Sequence, residues 1–465
     1  MGFSTACAAR KKTDMADKRK RQKSPRELAV EILDRIEQKG DYAEPLLDAA
    51  LSGEGIPNPH DRGLLTELVY GTLRMRGRMD WIIARLYKGD AAALEAPVPN
   101  ILRTGLYQLL FTDRIPHFAA VNETVGIAKK ECPAATGLVN AILRNALREK
   151  ENIVWPEMAK DPGKAIAVLH SHPRWLVERW LDRYGIDETI AICRGNNRMP
   201  EPVVRVNSLR ASRDEAIAAL AAEKIAAGKT RYCADGLFLS NAVGLRETTA
   251  FRNGLIRVQD EASQLVAHLV HPQPGERVLD LCAGAGGKTL HMAALMDNQG
   301  EITAVDLHPD KLHLLTAESG RLGVTIATTH AGNAATMPES FRGAFDRVLL
   351  DAPCSGLGTL RRNPEIRWRI VSHELERSMS LQKRLLRKAA DCVKPDGFLV
   401  YSVCTVTPEE NESVVAELLA ARPVFKRVPL EGIPSELIDA DGFLRTFSHR
   451  HGTDGFFGAL FTRTG

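Results

Sequence analysis

Cys354 and Cys404 lie fifty residues apart, and each follows an apolar run that reads as a strand. The first run is "DRVLLDAP" (346–353), the second "GFLVYSVCT" (397–405), and Asp351 sits three residues before Cys354. An isolated strand-end cysteine is ordinarily a small buried hydrophobe, and Cys193, Cys233, Cys282 and Cys392 are read that way. Two such thiols with a carboxylate are a different matter. In an open α/β sheet, ligands bind beyond the carboxyl ends of the strands. Consecutive parallel strands tend to be neighbours, about 4.8 Å apart. The pattern therefore brings two thiols and a carboxylate to one place.

A thiolate suits covalent catalysis, which splits one difficult step into easier ones. Cytosine C5 is a case that needs it, being too weak a nucleophile to take a methyl group directly. A thiolate adding to C6 makes C5 enamine-like, C5 attacks a sulfonium methyl, a base removes the C5 proton, and the thiol leaves. Asp351 opposite N3 would stabilise the adduct. After Cys404, Thr407 is expected as an N-cap, Pro408 at the first helical position and Glu410 as the third member of a capping box. The positive end of that helix would favour a thiolate at Cys404.

The methyl donor has a candidate seat in "VLDLCAGAGGKT", a strand, a glycine-rich turn and a helix start. Glycines there let a ligand approach the backbone, and the helix offers free N–H groups. A phosphate loop needs Gly at 282, which is Cys, and the dinucleotide fingerprint needs Gly at 289, which is Thr. The type of turn that holds S-adenosylmethionine remains. Asp306, 22 residues beyond Gly284 at the end of the next strand, can accept from ribose hydroxyls or cap the following helix "HPDKLHLL". Asn333 in "HAGNAA" can meet an adenine edge or simply make a turn.

The elements that must position these residues follow from periodicity. From Ser24 to Glu151 apolar residues recur at helical spacing, starting with "SPRELAVEILDRIEQKG", which has a Ser cap, Pro at the first position, Glu27 at the third and a Gly stop. Residues 152–258 mix helical stretches with "PVVRVNSL", "LFLSN" and "LIRVQD", a small α+β unit. From 259 to 465 strands and helices alternate, which argues for a doubly wound parallel sheet with a last strand, "GFFGALFTR". "RRNPEIRWR", with Arg361, Arg362, Arg367, Trp368 and Arg369, suits a loop that meets a nucleic-acid backbone. Arg205, Arg210, Arg252 and Arg257 extend that expected surface.

The chain has 465 residues, 44% hydrophobic and 26% charged, within the range of soluble globular proteins. Residues 10–26 carry a net +7 and leave −3 for the rest, so a nucleic-acid site must come from local patches. Residues 1–23 read as a basic disordered tail, and Met15 opens a second possible start. Eight cysteines without CxxC or zinc-type spacing point to free thiols in a reducing cytoplasm and to no metal. No run is long enough to span a bilayer, and a monomer is expected.

The motifs "VQDEASQLV", "LDLCAGAGGKT", "DAPCSGLGTLRRNPEIRW", "YSVCTVTPEENESVV" and "DGFF" resemble those of the NOL1/NOP2/Sun family of RNA (cytosine-5) methyltransferases. "DRGLLTELVYGTLR", "HFAAVNETVGIAKK" and "GLVNAILR" resemble the NusB fold. The combination is similar to bacterial members that methylate small-subunit ribosomal RNA. The resemblance implies a NusB-like RNA-binding bundle (24–151), the α+β unit (152–258) and a Rossmann-like methyltransferase domain (259–465). It implies Cys404 as nucleophile, Cys354 assisting product release and Asp351 at the target base. Cys282, Ala283, Gly284, Ala285, Gly286, Gly287, Lys288, Asp306, Asn333 and Asp351 would line the S-adenosylmethionine site. The chain departs from the family in CAGAGGK for the commoner CAAPGGK, Asn333 for Asp, and Ser-Val-Cys-Thr for Ser-Thr-Cys-Ser, where Val403 should point away from the site by strand alternation. Two rival readings are a silent methyltransferase fold that only binds RNA or a transcription factor, and an NAD oxidoreductase, which Thr289 weakens.

Overall fold

The protein, seen here as a computed structural model, is described over residues 23–52, 56, 58–240 and 244–465; the basic stretch up to residue 22 lies outside them. The chain divides into two units, one ending at Glu178 and one beginning at Arg179.

The first is helical. Ser24 and Glu27 form the capping box, Pro25 takes the first position, and Gly40 stops α1 (Pro25–Lys39) with φ 69°. α2 (Ala43–Ser52), α3 (Pro59–Leu86), α4 (Val98–Phe111), α5 (His117–Glu131), α6 (Thr136–Arg148) and α7 (Pro162–Leu169) follow. Eleven of the fourteen residues of α4 are buried, so it is the central helix, meeting α1, α3, α5 and α6. Its buried Arg103 is satisfied by Asp80 and Glu37. A Cβ on Gly71 would fall 2.0 Å from the Tyr107 ring, so α3 and α4 approach only through glycine.

A helical stretch, α8 (Arg174–Asn197), breaks at Gly185, where φ is 76°, and leads into the second unit. β1 (Val203–Val206), β2 (Ala227–Lys229), β3 (Gly236–Leu239) and β4 (Ile256–Val258) form an antiparallel sheet in the order β2-β3-β1-β4. α9 (Arg213–Ala222) and α10 (Thr249–Arg252) pack on it.

The main sheet comprises β5 (Arg277–Asp280), β6 (Glu301–Asp306), β7 (Ala327–Ala331), β8 (Phe345–Asp351), β9 (Val393–Val403), β10 (Phe425–Arg427), β11 (Leu444–Arg445) and β12 (Phe457–Arg463), in the order β10-β12-β9-β8-β5-β6-β7 with β11 beside β12. β5 to β9 run parallel to one another, as expected; β12 is antiparallel to β9 and β10 antiparallel to β12, which makes the sheet mixed. Helices α11 (Glu261–Val270), α12 (Thr289–Leu295), α13 (Pro309–Leu322), α14 (Ile366–Arg369), α15 (Ser372–Cys392), α16 (Glu412–Ala421) and α17 (Ser448–His451) complete the unit. Alternate strand residues feed two cores. Val278, Ile302, Leu349 and Val400 pack with α11 and α12, while Leu279, Val305, Leu350, Tyr401 and Val403 pack with α15 and α16. Burying both faces explains why these strands read as continuous apolar runs. Among the described residues no helix is long and apolar enough to cross a membrane.

Candidate active site

β5 ends at Asp280, and the backbone turns through Cys282–Lys288 into α12 at Thr289. Gly284 (φ 55°) and Gly286 (φ 78°) take the left-handed conformations that the turn requires. A Cβ on Gly286 would lie 2.5 Å from Leu315 Cγ, whereas one on Gly284 would meet open space. Asp306, at the end of β6, accepts from Gly284 N and His308 N, each at 2.9 Å. It thus braces the turn and the approach to α13 together, and each carboxylate oxygen keeps acceptor capacity for a ligand. Asn333 is exposed, and its Oδ1 caps a short 3-10 turn by accepting from Ala335 N at 2.9 Å. Burial pushes the Asp280 carboxyl up to about 6; Oδ2 accepts from Thr289, and Oδ1 is buried without a hydrogen-bond partner. Burial likewise pushes the Cys282 thiol up.

Arg205 and Arg257, expected on a nucleic-acid surface, are instead under this turn. Arg205, 1% exposed on β1, donates to Gly287 O at 2.8 Å and to Gln259 Oε1 at 2.9 Å. Arg257 on β4 donates to Ala285 O at 2.8 Å. Two guanidinium groups from the small sheet therefore hold the turn's carbonyls, leaving its other side to a ligand. Arg210 stays exposed and donates to Leu322 O at 3.2 Å.

The thiols do meet. Asp351 pairs in register with Ser402 across β8 and β9, and Cys354 Sγ lies 3.3 Å from Cys404 Sγ. Both are free thiols. Asp351 accepts from Ser402 Oγ at 2.7 Å and from Lys288 Nζ at 2.6 Å, which ties the thiol corner to the glycine-rich turn. Burial works against the Lys288 charge, but Asp351 outweighs it and holds the amine above the ordinary lysine range. The contact with Cys404, then burial, hold Cys354 well above an ordinary thiol.

The helix expected from Thr407 begins later, at Glu412, after a turn over residues 408–411. The reason is the fate of Glu410. It is fully buried and accepts from Thr407 Oγ1 at 2.8 Å, but also from Thr405, Ser355 and Gln382. A carboxylate drawn into the core cannot serve as a surface capping box. The arginine loop is also largely inward. Arg361 pairs with Asp260 and Asp454, Arg362 pairs with Asp454, and Arg367, 0% exposed, donates to Asn197 Oδ1 at 2.7 Å. Burial pushes Asp454 up to about 6 despite these cations. The loop crosses the thiol strand at Gly358, whose N donates to Cys404 O at 3.0 Å and whose O accepts from Gly455 N at 2.8 Å.

Sequence reading missed Ser402 and Gln382 and gave Glu410 only a capping role. Ser402 was within reach of it, since strand alternation puts it on the same face as Cys404. Nothing in cysteine spacing showed that Cys233, Asp235 and His268 would come within ligand distance of one another. The Asp235 carboxylate there already bonds His268 at 2.8 Å and His291 at 2.9 Å.

A glycine-rich turn after the first parallel strand, an acid ending the second and a mixed sheet closed by an antiparallel strand define a Rossmann-like methyltransferase, here with paired thiols on adjacent strand ends. Comparison makes this specific: the chain belongs to the RsmB/F family of 16S rRNA methyltransferases. Residues 267–462 match the family described as 16S rRNA methyltransferase RsmB/F, 23–148 the NusB family, and 172–246 the ferredoxin-like domain of RsmF/B-like methyltransferases. A probable ribosomal RNA small subunit methyltransferase B of Bacillus subtilis is 36% identical over 93% of this chain and 97% of its own length. The ribosomal RNA small subunit methyltransferase B of Pseudomonas putida is 38% identical over 80% of this chain and 84% of its own. The crystal structure of PH0851 superposes with a TM-score of 0.81 at 29% identity, covering 94% of this chain and 99% of that one. NSun6 from Pyrococcus horikoshii with SFG, at 22% identity and TM-score 0.56 over 64% of this chain and all of that one, shares the fold.

Proposed function

We propose that the protein methylates C5 of a cytosine in small-subunit ribosomal RNA, with S-adenosylmethionine as donor and Cys404 as nucleophile. The observation that carries this is the pair of strand-end thiols 3.3 Å apart, joined to the glycine-rich turn through Lys288 and Asp351.

The turn fits the donor. Gly284 and Gly287 leave room where side chains would stand, Asp280 Oδ1 is an unpartnered buried acceptor, and Asp306 keeps lone pairs for hydroxyls. Cys282, Ala283, Ala285, Gly286 and Lys288 complete this lining, with Asn333 at its edge. S-adenosylmethionine, when bound, supplies the methyl group that C5 takes. The protein's own groups do the rest. The Cys404 thiolate adds to C6, and Lys288 is the cation within electrostatic reach of it. As the C–S bond forms, N3 takes up a proton from solvent, and the Asp351 carboxylate, fixed by Lys288 and Ser402, accepts from that N3–H. A base, for which solvent water serves in this scheme, takes the C5 proton; the C–H electron pair re-forms the C5–C6 double bond as the C–S bond breaks and its pair returns to Cys404. Cys354, held as a thiol beside the leaving sulfur, assists this release.

The direct test is RNA carrying 5-fluorocytosine, which has no C5 proton to lose and traps the adduct. The protein should crosslink to it through Cys404, and Cys404→Ala should lose both crosslink and methyl transfer. An active parent enzyme that leaves no adduct at Cys404 would overturn the covalent reading. Bisulfite mapping of ribosomal RNA from a deletion strain should show one lost 5-methylcytosine in the small subunit.

A further inference from the structure

The two cysteine loops are held by the same buried group. Glu410 is 0% exposed. Its Oε1 accepts from Ser355 N at 2.8 Å and from Gln382 Nε2 at 3.0 Å. Its Oε2 accepts from Thr405 Oγ1 at 3.0 Å, from Thr407 Oγ1 at 2.8 Å and from Ser355 Oγ. Ser355 is the residue after Cys354, and Thr405 is the residue after Cys404. One carboxylate thus takes hydrogen bonds from the immediate chain neighbour of each thiol. Ser355 Oγ and Thr405 Oγ1 also touch at 2.9 Å, closing a ring around it. Its backbone is fixed too, because Tyr401 Oη donates to Glu410 O at 2.6 Å. Gln382 extends the clasp to α15 and donates to Pro353 O at 2.9 Å, on the other side of Cys354.

We infer that Glu410 is a positioning residue for the thiol pair: a buried anion that sets the spacing of Cys354 and Cys404 and keeps them chemically unequal. Five donors converge on it, so it holds them as a carboxylate, which is acceptor-only. A fixed negative charge beside two thiols penalises a second one. Glu410 is among the groups that hold Cys354 in its protonated form, after the Cys404 contact and burial. A second thiolate at Cys354 is thereby disfavoured, and Cys404 is left as the nucleophile. This geometry also explains why the segment after Cys404 defers its helix to Glu412: Thr405 and Thr407 must first fold back onto the carboxylate.

The inference rests on the proposed nucleophilic role of Cys404, and its test separates the two. The readout is the ratio of iodoacetamide alkylation at Cys404 to that at Cys354, by peptide mass spectrometry across about pH 6 to 9, the span of a free thiol's titration. The parent should label selectively at Cys404. Glu410→Gln, isosteric but neutral and with a donor where only an acceptor fits, should raise Cys354 labelling about tenfold or more. It should also lower kcat for methyl transfer roughly tenfold to a hundredfold, as small misplacements of reacting groups do, with KM for RNA within about twofold of the parent. Glu410→Asp, which keeps the charge, should restore most of the selectivity but less of kcat. Ser355→Ala and Thr405→Val each remove one hydroxyl from the carboxylate and leave the Ser355 N and Thr407 bonds in place; each should lower kcat by a smaller factor, and they carry the test if Glu410→Gln does not fold. Unchanged alkylation ratios and unchanged kcat in the folded variants would overturn the inference. If the parent itself forms no 5-fluorocytosine adduct at Cys404, it is the proposed function that fails.

Discussion

Among single residues, Asp280 has the most direct bearing on stability. Its carboxyl titrates near 6 in the folded chain against 3.8 when exposed. Folding therefore takes up a proton between those values, and the contribution declines as pH rises through that window. The penalty at neutral pH is about 3 kcal/mol, from the usual conversion of a shift to energy. Asp280→Asn should unfold at higher urea than the parent above about pH 6, with the gap closing towards pH 4, as equilibrium denaturation would show. If the proposed roles of the thiols hold, Cys354→Ala should accumulate an RNA–protein adduct on ordinary cytosine substrate, seen as a slow-migrating band that Cys404→Ala lacks. That Asp351, Cys354 and Cys404 converge was legible because they lie at or just after the carboxyl ends of two strands that the sequence makes adjacent. The arginines were not. Charge in a sequence says nothing about burial, and the partners that draw Arg361 and Arg362 inward, Asp260 and Asp454, lie some ninety to a hundred residues away.

Among elements, the parallel strands β5, β6, β8 and β9 were readable because burial on both faces makes them uniformly apolar. β2, β10 and β11 are two or three residues long, too short to carry a periodicity, and exist only through their partners. The segment after Cys404 was misjudged because a Thr-Pro-x-Glu pattern has the same spelling whether Glu410 caps a helix or enters a core; only the opposing Ser355 and Gln382 decide it. The crossing of the 354–362 loop over the thiol strand is the tightest contact among these elements. A Cβ at Gly358 would fall 1.8 Å from Gly455 O and 2.9 Å from Cys404 O. Neither obstacle is a flexible side chain, so Gly358→Ala must push the loop off the strand. It should destabilise the second unit by about 1–3 kcal/mol, as overpacking does, read as a lowered urea midpoint. It should also slow Cys404 alkylation relative to Ala at Gly137, which meets nothing within 4 Å.

On the scale of the whole molecule, the helical unit and the sheet unit have cores of their own, one drawn from residues 29–146 and the others from residues 204–461. Calorimetry should therefore resolve two unfolding transitions. A non-reactive analogue of the proposed donor at a hundred times its Kd should raise only one of them, by about 2.7 kcal/mol of added stability. A single transition raised as a whole would contradict this division. The chain's order has a further consequence. β9, which leads to Cys404, lies between β8 and β12, and β12 starts only at Phe457, more than fifty residues after β9 ends. Synthesis runs from the N-terminus at about 5–20 residues per second. For several seconds a nascent chain carries β9 with one open edge, the kind of edge that recruits stray strands. The Gly358–Gly455 crossing over Cys404 cannot form in that interval either. The corner around Cys404, the proposed nucleophile, is thus among the last features to be finished, and a ribosome stalled before Phe457 would hold the proposed donor pocket without a completed thiol site beside it.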